Sequence, residues 1–355
     1  MILITSPSLN PNENVSGISS VTRFIIDRNK GKQYCHFILG KRDNQNRGIG
    51  WLLHLAIAYL KWIKLNSTEK NILIHFNLSL TKPSVMRDCP LIIISRIFHR
   101  RIVIHLHGGE YLLHKNPPAI VKFFLRAVFR EDIPKIVLSP LEAKNLQKKF
   151  NTNNTWVLPN CPDLTDSEGF NRPPCFDTSL TLLFIGRISK DKGLDYILQA
   201  LLSLKSRGVK FRFVMAGAGQ DEKKYVFQFR ENLGNMFEFK GVVTGQEKSC
   251  LLRKCNVFLL PSLFEGLPMS LIESMSYGLV PVTTDAGSMK YVISDGKTGI
   301  IVKMHSSEDI AAAVEKLSTD HAALNAISRN AREYIFRTFD PETYINSLNE
   351  IYNYA

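Results

Sequence analysis

The sequence predicts an α/β protein with two doubly wound domains, each built on a parallel sheet with helices on its faces. Short runs of β-branched residues alternate with helical patterns along the chain, which is typical of parallel strands joined by crossover helices. The chain has 355 residues, more than a single ordinary core holds. A stretch rich in Pro, Asp, Ser and Gly interrupts the pattern near the middle, as expected at a domain boundary.

The first half contains six apolar runs that we assign to strands. They are residues 2–5, 34–39, 71–76, 101–107, 135–139 and 155–159. Helical patterns separate most of them, so residues 1–160 are predicted to form an N-terminal Rossmann-like domain.

The second half repeats this organisation after a linker predicted at residues 161–178. Its strand candidates are residues 180–186, 210–217, 236–241, 256–262, 280–284 and 299–302. Residues 179–337 are therefore predicted to form a C-terminal Rossmann-like domain. Asp340 as N-cap and Pro341 at the first helical position predict a terminal helix within residues 338–355. We expect that helix to return to the N-terminal domain.

Positive charge is concentrated in the first half. The formal net charge is +13, and residues 1–160 hold 23 Lys and Arg against 9 Asp and Glu, whereas residues 161–355 hold 22 against 23. Candidates for a basic face are Lys61, Lys64, Arg96, Arg100, Arg101, Lys122, Arg126, Arg130, Lys144, Lys148 and Lys149. An anionic membrane, a nucleic acid or plain solvation would each suit such a face. No nucleic-acid-binding motif accompanies the charge, so we do not expect a nucleic-acid partner.

Composition also bears on the compartment. Six cysteines without a CxxC pair indicate neither a zinc site nor a redox pair, which favours a reduced cytoplasmic setting. The N-terminus lacks the pattern of a signal peptide, and no apolar run reaches the ~20 residues of a membrane span. The run at residues 51–65 is expected either to lie in a membrane interface or to form a core layer under the sheet. Its apolar and basic residues include Trp51, Leu52, Leu55, Tyr59, Lys61, Trp62 and Lys64.

Two turns that follow predicted strands contain the candidate site residues. After the strand at 180–186, Arg187 follows Gly186, and Lys192 precedes Gly193 at the start of the next helix. Two cations at the carboxyl end of a strand, beside a helix N-terminus, suit a diphosphate.

The second turn contains acids instead of cations. Glu265 and Glu273 are separated by seven residues, with Pro268 near the first turn of a helix. Carboxylates there can accept hydrogen bonds from sugar hydroxyls, and N–H groups of the helix start can bind phosphate oxygens. The loop and helix-start residues that would supply these groups are Gly266, Leu267, Met269 and Ser270.

These motifs resemble the C-terminal half of retaining glycosyltransferase family 4. The resemblance covers residues 180–303 through "GRISKDKG", "AGAGQ", "LFEGLPMSLIESMSYGLVPV" and "DGKTGIIV". It extends more weakly into "NVSGISS", "IHLHGGEY" and "VLPNCPD" of the first half. It implies the GT-B fold, with two Rossmann-like domains facing across a cleft.

The resemblance also implies roles for individual residues. Arg187 and Lys192 would neutralise the donor diphosphate, Glu273 would bind the ribose, and Glu265 would hold the transferred sugar. Gly17 would admit the diphosphate close to the backbone, and His107 would face the donor sugar as a further catalytic residue. His105 is expected to be packed. Many members of that family have an acid where this chain has Lys290.

The implied function is transfer of a sugar from a nucleotide diphosphate sugar to a lipid-linked saccharide in bacterial surface polysaccharide synthesis, such as O-antigen or capsule. We expect a uridine diphosphate hexose or N-acetylhexosamine, no cofactor, no metal, and a cytoplasmic enzyme peripheral on the inner face of the membrane. A soluble acceptor and a non-catalytic homologue are alternatives. A nicotinamide oxidoreductase is rejected because position 222, where the dinucleotide fingerprint needs its third glycine, is Glu.

Overall fold

The computed structural model describes residues 1–40, 48–113, 116–129, 132–177 and 179–355. The chain forms two compact units. Unit 1 comprises Met1–Asn160 and Glu342–Ala355, and unit 2 comprises Cys161–Pro341. Each unit is built around one sheet.

Unit 1 contains, in its described part, a parallel sheet of six strands in the order β2-β1-β3-β4-β5-β6. The strands are β1 (Ile2–Ser6), β2 (Tyr34–Ile38), β3 (Leu73–Leu78), β4 (Arg101–Leu106), β5 (Lys135–Val137) and β6 (Thr155–Val157). The helices are α1 (Gly17–Arg28), α2 (Ile49–Thr68), α3 (Lys82–Ile97), α4 (Glu110–Leu113), α5 (Ala119–Val128) and α6 (Pro140–Phe150).

The core of unit 1 lies between its sheet and the layer that contains α2, α3 and α5. Trp62 of α2 is fully buried and packs edge-on against Phe76 of β3, with ring centroids 5.1 Å apart. The Trp62 indole N–H donates to the carbonyl oxygen of Leu91 on α3 at 3.1 Å, so this large side chain leaves no buried donor unpaired. Arg96 of α3 donates to the carbonyl oxygen of Ala127 on α5 at 2.8 Å. These bonds join the three helices into one layer.

Unit 2 has a second parallel sheet of six described strands, in the order β12-β11-β10-β7-β8-β9. The strands are β7 (Leu180–Ile185), β8 (Phe211–Ala216), β9 (Phe237–Gly241), β10 (Val257–Leu260), β11 (Val280–Thr283) and β12 (Ile300–Ile301). The helices are α7 (Thr165–Glu168), α8 (Leu194–Ser206), α9 (Glu222–Leu233), α10 (Gly245–Lys254), α11 (Met269–Ser276), α12 (Ser307–Thr319) and α13 (His321–Thr338). Short 3₁₀ turns lie at Lys190–Lys192, Gly234–Met236 and Met289–Tyr291.

Strand order in unit 2 reverses beside β7. The chain runs from β7 outward to β8 and β9, then returns to place β10 on the other side of β7. The crevice outside the carboxyl ends of β7 and β10 is therefore the topological switch point, where doubly wound folds bind their ligands.

The predicted fold class is confirmed: all of the strand candidates overlap observed strands, and both sheets are parallel. Within the predicted linker, Arg172 donates to the carbonyl oxygens of Tyr277 and Leu252 at 2.5 and 2.7 Å. These bonds attach that segment to unit 2. Thr178, at its end, lies outside the described residues, as does Arg130 of the predicted basic face.

The last helix, α14 (Pro341–Tyr354), packs within unit 1. Asn29 donates to Asn349 Oδ1 at 2.9 Å, and Arg101 donates to the carbonyl oxygen of Tyr352 at 2.6 Å. Across the described ranges, no helix has both the length and the apolar character that crossing a bilayer requires.

Candidate active site

The turn after β7 brings Arg187 and Lys192 to the switch point of unit 2. Arg187 lies directly after the strand and is partly buried. Lys192 ends a 3₁₀ turn, and Gly193 leads into α8 in the left-handed conformation, with φ of 76°. A Cβ at Gly193 would lie 2.1 Å from the carbonyl oxygen of Pro261. Only glycine therefore lets this turn pack against the end of β10.

Glu265 lies in the loop after β10 and forms an ion pair with Lys192. Lys192 Nζ is 2.7 Å from Glu265 Oε1, and the Glu265 side chain is 9% exposed. The backbone N–H of Leu263 also donates to the carbonyl oxygen of Asp191 at 2.8 Å. The loops that follow β7 and β10 are thus joined by an ion pair and a backbone hydrogen bond. The structure brings together one cation and one acid that the sequence placed in separate motifs.

The loop after β11 supports the backbone around Glu265. Gly287 has φ of 62°, and a Cβ there would lie 1.9 Å from the Glu265 carbonyl oxygen. The N–H of Ser288 donates to the carbonyl oxygen of Gly266 at 3.0 Å. Lys290 is exposed, and its ammonium group lies above the ring of Tyr291.

Helix α11 starts immediately after the loop that follows β10. Pro268 is its N-cap, and Leu267 and Met269 are buried while Ser270 is partly buried. The first N–H groups of any helix have no partner within the helix and carry partial positive charge. Met269 and Ser270 occupy the first turn of α11 and therefore carry such groups, shortly after the loop that contains Glu265.

Glu273, one turn further along α11, pairs with a lysine that the sequence analysis missed. Lys248 Nζ on α10 is 2.7 Å from Glu273 Oε1. Burial lowers the pKa of Lys248, but the charge and hydrogen bond of Glu273, with smaller contributions from Tyr277 and Asp166, together raise it above its ordinary value. The ammonium group of Lys248 thus holds the Glu273 carboxylate in one orientation. No sequence signal connects two residues on helices 25 positions apart.

The two remaining predicted residues, Gly17 and His107, lie in unit 1. Gly17 is the first residue of α1, is exposed, and has open space around the position of a Cβ. His107 follows β4, is partly buried, and its Nε2 lies 2.6 Å from Asn77 Oδ1.

A buried polar cluster lies beside His107. His105 is fully buried as expected, and its ring centroid is 4.2 Å from that of His107. His105 Nδ1 is 3.2 Å from His75 Nε2, and His75 Nδ1 is 2.7 Å from the Tyr352 hydroxyl on α14. The sequence does contain a signal for part of this cluster, because "IHFN" and "IHLH" each alternate polar and apolar residues within a buried strand.

The site in unit 2 therefore joins cations, carboxylates and a helix N-terminus at the switch point of a doubly wound sheet. Residues 167–334 match the family of glycosyl transferases group 1. The group 1 match includes Arg187, Lys192, Lys248, Glu265 and Glu273.

Two curated relatives are glycosyltransferases by name. The chain is 29% identical over 261 residues to the Escherichia coli K12 protein provisionally named the colanic acid biosynthesis glycosyltransferase WcaL, covering 70% of this chain and 61% of WcaL. It is 26% identical over 175 residues to the capsular polysaccharide biosynthesis glycosyltransferase CapM of Staphylococcus aureus, covering 48% of this chain and 45% of CapM. The chain thus aligns with only part of each relative.

A solved structure shows the fold. Anabaena HepE, crystallised in complex with UDP and glucose, is similar with a TM-score of 0.72 over 98% of both chains, at 18% identity. This likeness confirms the predicted GT-B fold class.

Proposed function

We propose that this chain is a retaining glycosyltransferase of family 4 that moves a sugar from a nucleotide diphosphate sugar to a saccharide acceptor. The supporting observation is the arrangement of Lys192–Glu265 and Lys248–Glu273 beside the start of α11. Cations and helix N–H groups bind phosphate, while carboxylates accept hydrogen bonds from hydroxyls. The group 1 match over residues 167–334 further supports the proposal.

When the bond between the sugar and the diphosphate breaks, negative charge develops on the diphosphate. Arg187, Lys192 and the N–H groups of Met269 and Ser270 would stabilise that charge, which is commonly the largest single contribution to catalysis. Glu273 would bind the ribose, and Glu265 would bind the sugar. The sequence has no Asp-x-Asp motif, so we propose that the reaction needs neither a metal nor another cofactor.

The proposed donor is a uridine diphosphate hexose or N-acetylhexosamine. Anabaena HepE was crystallised with UDP and glucose, which supports this choice among the nucleotides that family 4 uses. In unit 1, Gly17 and His107 are proposed to contribute to donor binding, since the open space at Gly17 admits an approaching ligand.

The proposed acceptor is a lipid-linked saccharide of surface polysaccharide synthesis, such as capsule or O-antigen. The names of WcaL and CapM support the polysaccharide, and a surface of unit 1 supports the lipid. That apolar–basic surface lies on α2, α3 and α5, the helices joined by the bonds of Trp62 and Arg96. Its exposed members are Leu52, Leu53, Ile57, Leu60, Lys61, Ile63, Lys64, Ile97, Ile120, Lys122, Phe123 and Arg126.

The apolar–basic surface differs from the membrane face expected from sequence. Both aromatic residues were expected to face the membrane. Instead Trp62 is buried, and the Tyr59 hydroxyl donates to the carbonyl oxygen of Arg87 at 2.6 Å. Apolar side chains among exposed cations suit the surface of an anionic membrane. We propose that unit 1 binds the inner face of the cell membrane there.

A thermal-shift screen tests the donor. The full chain is titrated with UDP, GDP and ADP and with their sugars, and we expect the largest rise in Tm with a uridine compound because a ligand that binds only the folded state stabilises it. The same compounds are tested on Lys192→Ala and on Lys190→Ala, which changes an exposed lysine two residues away. A chain that no nucleotide diphosphate stabilises would contradict the proposed function.

A transfer assay tests the reaction. With the stabilising sugar nucleotide and a polyprenyl-diphosphate saccharide, we expect a product whose anomeric configuration matches that of the donor, formed equally well in EDTA. Inversion would refute the retaining mechanism, and loss of turnover in EDTA with recovery on adding Mg²⁺ or Mn²⁺ would refute metal independence. Transfer to water-soluble saccharides alone would refute the lipid-linked acceptor.

A further inference from the structure

His107 is held by one side chain of the neighbouring strand, Asn77 of β3. His107 Nε2 is 2.6 Å from Asn77 Oδ1. The main chain also fixes the start of the loop after β4, because the N–H of His107 donates to the carbonyl oxygen of Leu78 at 3.0 Å. The imidazole is thus anchored at its backbone and at one ring nitrogen.

The hydrogen bonds of Asn77 decide which way its amide points. Asn77 Nδ2 lies 2.7 Å from the carbonyl oxygen of Thr5 and 3.1 Å from Thr22 Oγ1. A carbonyl oxygen can only accept a hydrogen bond, so the atom that faces Thr5 must be the amide nitrogen. The amide oxygen then faces His107 and can only accept. His107 Nε2 must therefore carry a hydrogen and donate it.

A neutral imidazole has one N–H, so its other nitrogen has a lone pair. Burial, with a contribution from His75, lowers the pKa of His107 to about 3, which keeps the ring neutral at ordinary pH. Among the described residues, Nδ1 of His107 has no hydrogen-bond partner. The ring of His105 lies beside that of His107, with centroids 4.2 Å apart. Its Nε2 is buried and has no hydrogen-bond partner among the described residues.

We propose that Asn77 is a positioning residue, which holds His107 in the Nε2–H tautomer and leaves Nδ1 to accept a hydrogen bond from a sugar hydroxyl. The identity of that ligand rests on the proposed function, whereas the tautomer follows from the geometry of unit 1. Under this proposal His107 acts as an acceptor toward the substrate and not as a proton donor.

Nitrogen-15 NMR of the histidine-labelled full chain tests the tautomer without any substrate. We expect the His107 signals, assigned by their loss in His107→Phe, to show a protonated Nε2 and an unprotonated Nδ1 near pH 7. Thr22→Val removes one anchor of the Asn77 amide but keeps the Thr5 bond, so it should leave the tautomer unchanged. A protonated Nδ1 in the wild type would overturn the proposal.

Two substitutions of Asn77 separate positioning from a structural role. Asn77→Leu removes the acceptor, so we expect both tautomers to be populated and kcat/KM to fall on the order of tenfold, the loss of about one hydrogen bond. Asn77→Asp retains an acceptor, so the Nε2–H tautomer should persist and the pKa of His107 should rise beside the carboxylate. Binding of nucleoside diphosphate by calorimetry should be unchanged in both variants.

The outcomes distinguish this inference from the proposed function. A folded Asn77→Leu variant with an unchanged His107 tautomer would refute the role of Asn77. If Asn77→Leu does not fold, the spectra of the wild type and of Asn77→Asp test the role of Asn77 instead. An Nδ1–H tautomer of His107 in either spectrum would refute that role. The expected spectra in a chain that transfers no sugar would instead refute the proposed function and leave the tautomer assignment standing.

Discussion

At the Lys192–Glu265 ion pair, the carboxylate that is proposed to bind a sugar is already paired with the ammonium that is proposed to bind a diphosphate. The two atoms are 2.7 Å apart, and Glu265 is largely buried. A buried carboxylate that loses its partner is strongly unfavourable. Under the proposed function Lys192 would have two roles, to stabilise Glu265 in the free protein and to be shared with the leaving group during the reaction.

We predict that Arg187→Ala and Lys192→Ala each lower kcat by on the order of a hundredfold or more, the effect of removing one group that stabilises developing negative charge. Lys192→Ala should also lower the Tm, because Glu265 loses its counter-ion. Adding Glu265→Gln to Lys192→Ala should restore part of the Tm but none of the turnover. Lys190→Ala is the matched control, and an equal loss of turnover in it would contradict the assignment.

We predict that replacing Glu273 and replacing Glu265 have different effects on nucleotide affinity and turnover. Glu273→Ala should weaken binding of the nucleoside diphosphate, whereas Glu265→Ala should lower turnover with a smaller loss of nucleotide affinity, because they are assigned to opposite ends of the donor. Calorimetry with the nucleoside diphosphate measures the first effect and steady-state kinetics the second. Glu247→Ala, an exposed acid beside Lys248 on α10, serves as control. Equal affinity losses in the two variants would refute the assignment.

At the scale of elements, strands β3 and β4 place His75 and His105 in the interior of unit 1, and His107 follows β4 beside them. Burial lowers the pKa of His75 and of His107 from 6.5 to about 3, and it also lowers the pKa of His105 well below 6.5. The folded chain therefore binds these protons less readily than the unfolded chain. The contribution of these histidines to the free energy of unfolding is fully present above about pH 6.5 and is lost as the pH falls toward 3.

We predict that His75→Phe reduces the pH dependence of the free energy of unfolding. In that window each buried histidine contributes about 1.4 kcal/mol per pH unit, so removing one should lower the slope by about that amount. Urea unfolding at several pH values between 6.5 and 4 measures the slope, whatever the absolute stability of the variant. His54→Gln changes an exposed histidine on α2 and should leave the slope as it is. Equal slopes in wild type and His75→Phe would refute the prediction.

At the scale of the whole molecule, the excess positive charge lies in residues 1–160. Some of these cationic side chains bond to backbone carbonyls, whereas others are exposed among apolar side chains. Arg100 donates to the carbonyl oxygen of Asn66 at 3.1 Å, and Arg101 donates to that of Tyr352 at 2.6 Å. These two arginines tether helix ends, so replacing them would disturb the fold as well as the charge. Lys61, Lys64, Lys122 and Arg126 are exposed among apolar side chains.

We predict that the chain sediments with vesicles of anionic lipid, and that changing Lys61, Lys64, Lys122 and Arg126 to Ser weakens this binding. Each such cation contributes about 1 kcal/mol near an anionic leaflet, and salt screens the attraction. Binding should therefore fall between low and high salt. Leu53→Gln with Leu60→Gln tests the apolar contribution without changing the charge.

The matched control removes equal charge from other exposed positions of unit 1, with Arg23, Lys30, Lys32 and Lys148 changed to Ser. Binding that is insensitive to lipid charge and salt, or that weakens equally in both variants, would contradict a specific membrane face. The protein would then be an enzyme with a generally basic surface.

Much of the fold could be predicted because parallel strands buried on both faces are apolar runs that can be recognised locally. The strands and the positions of Arg187, Lys192, Glu265 and Glu273 in turns after strands or on α11 follow from local pattern. The orientation of α2 could not be predicted, since apolar residues occur on every side of that helix. Its pattern does not distinguish Trp62, which is buried, from Leu60, which is exposed.

By itself the sequence determined the α/β class, the order of the strands along the chain and the residue types at their carboxyl ends, because each depends on neighbours within a few positions. The tertiary structure decided which of those residues meet. Lys248 reaches Glu273, Asn77 fixes the imidazole of His107, and His75 meets Tyr352 across 277 positions. Such pairs depend on strand order and helix packing, which bring distant segments to one place and leave no periodic trace in the sequence.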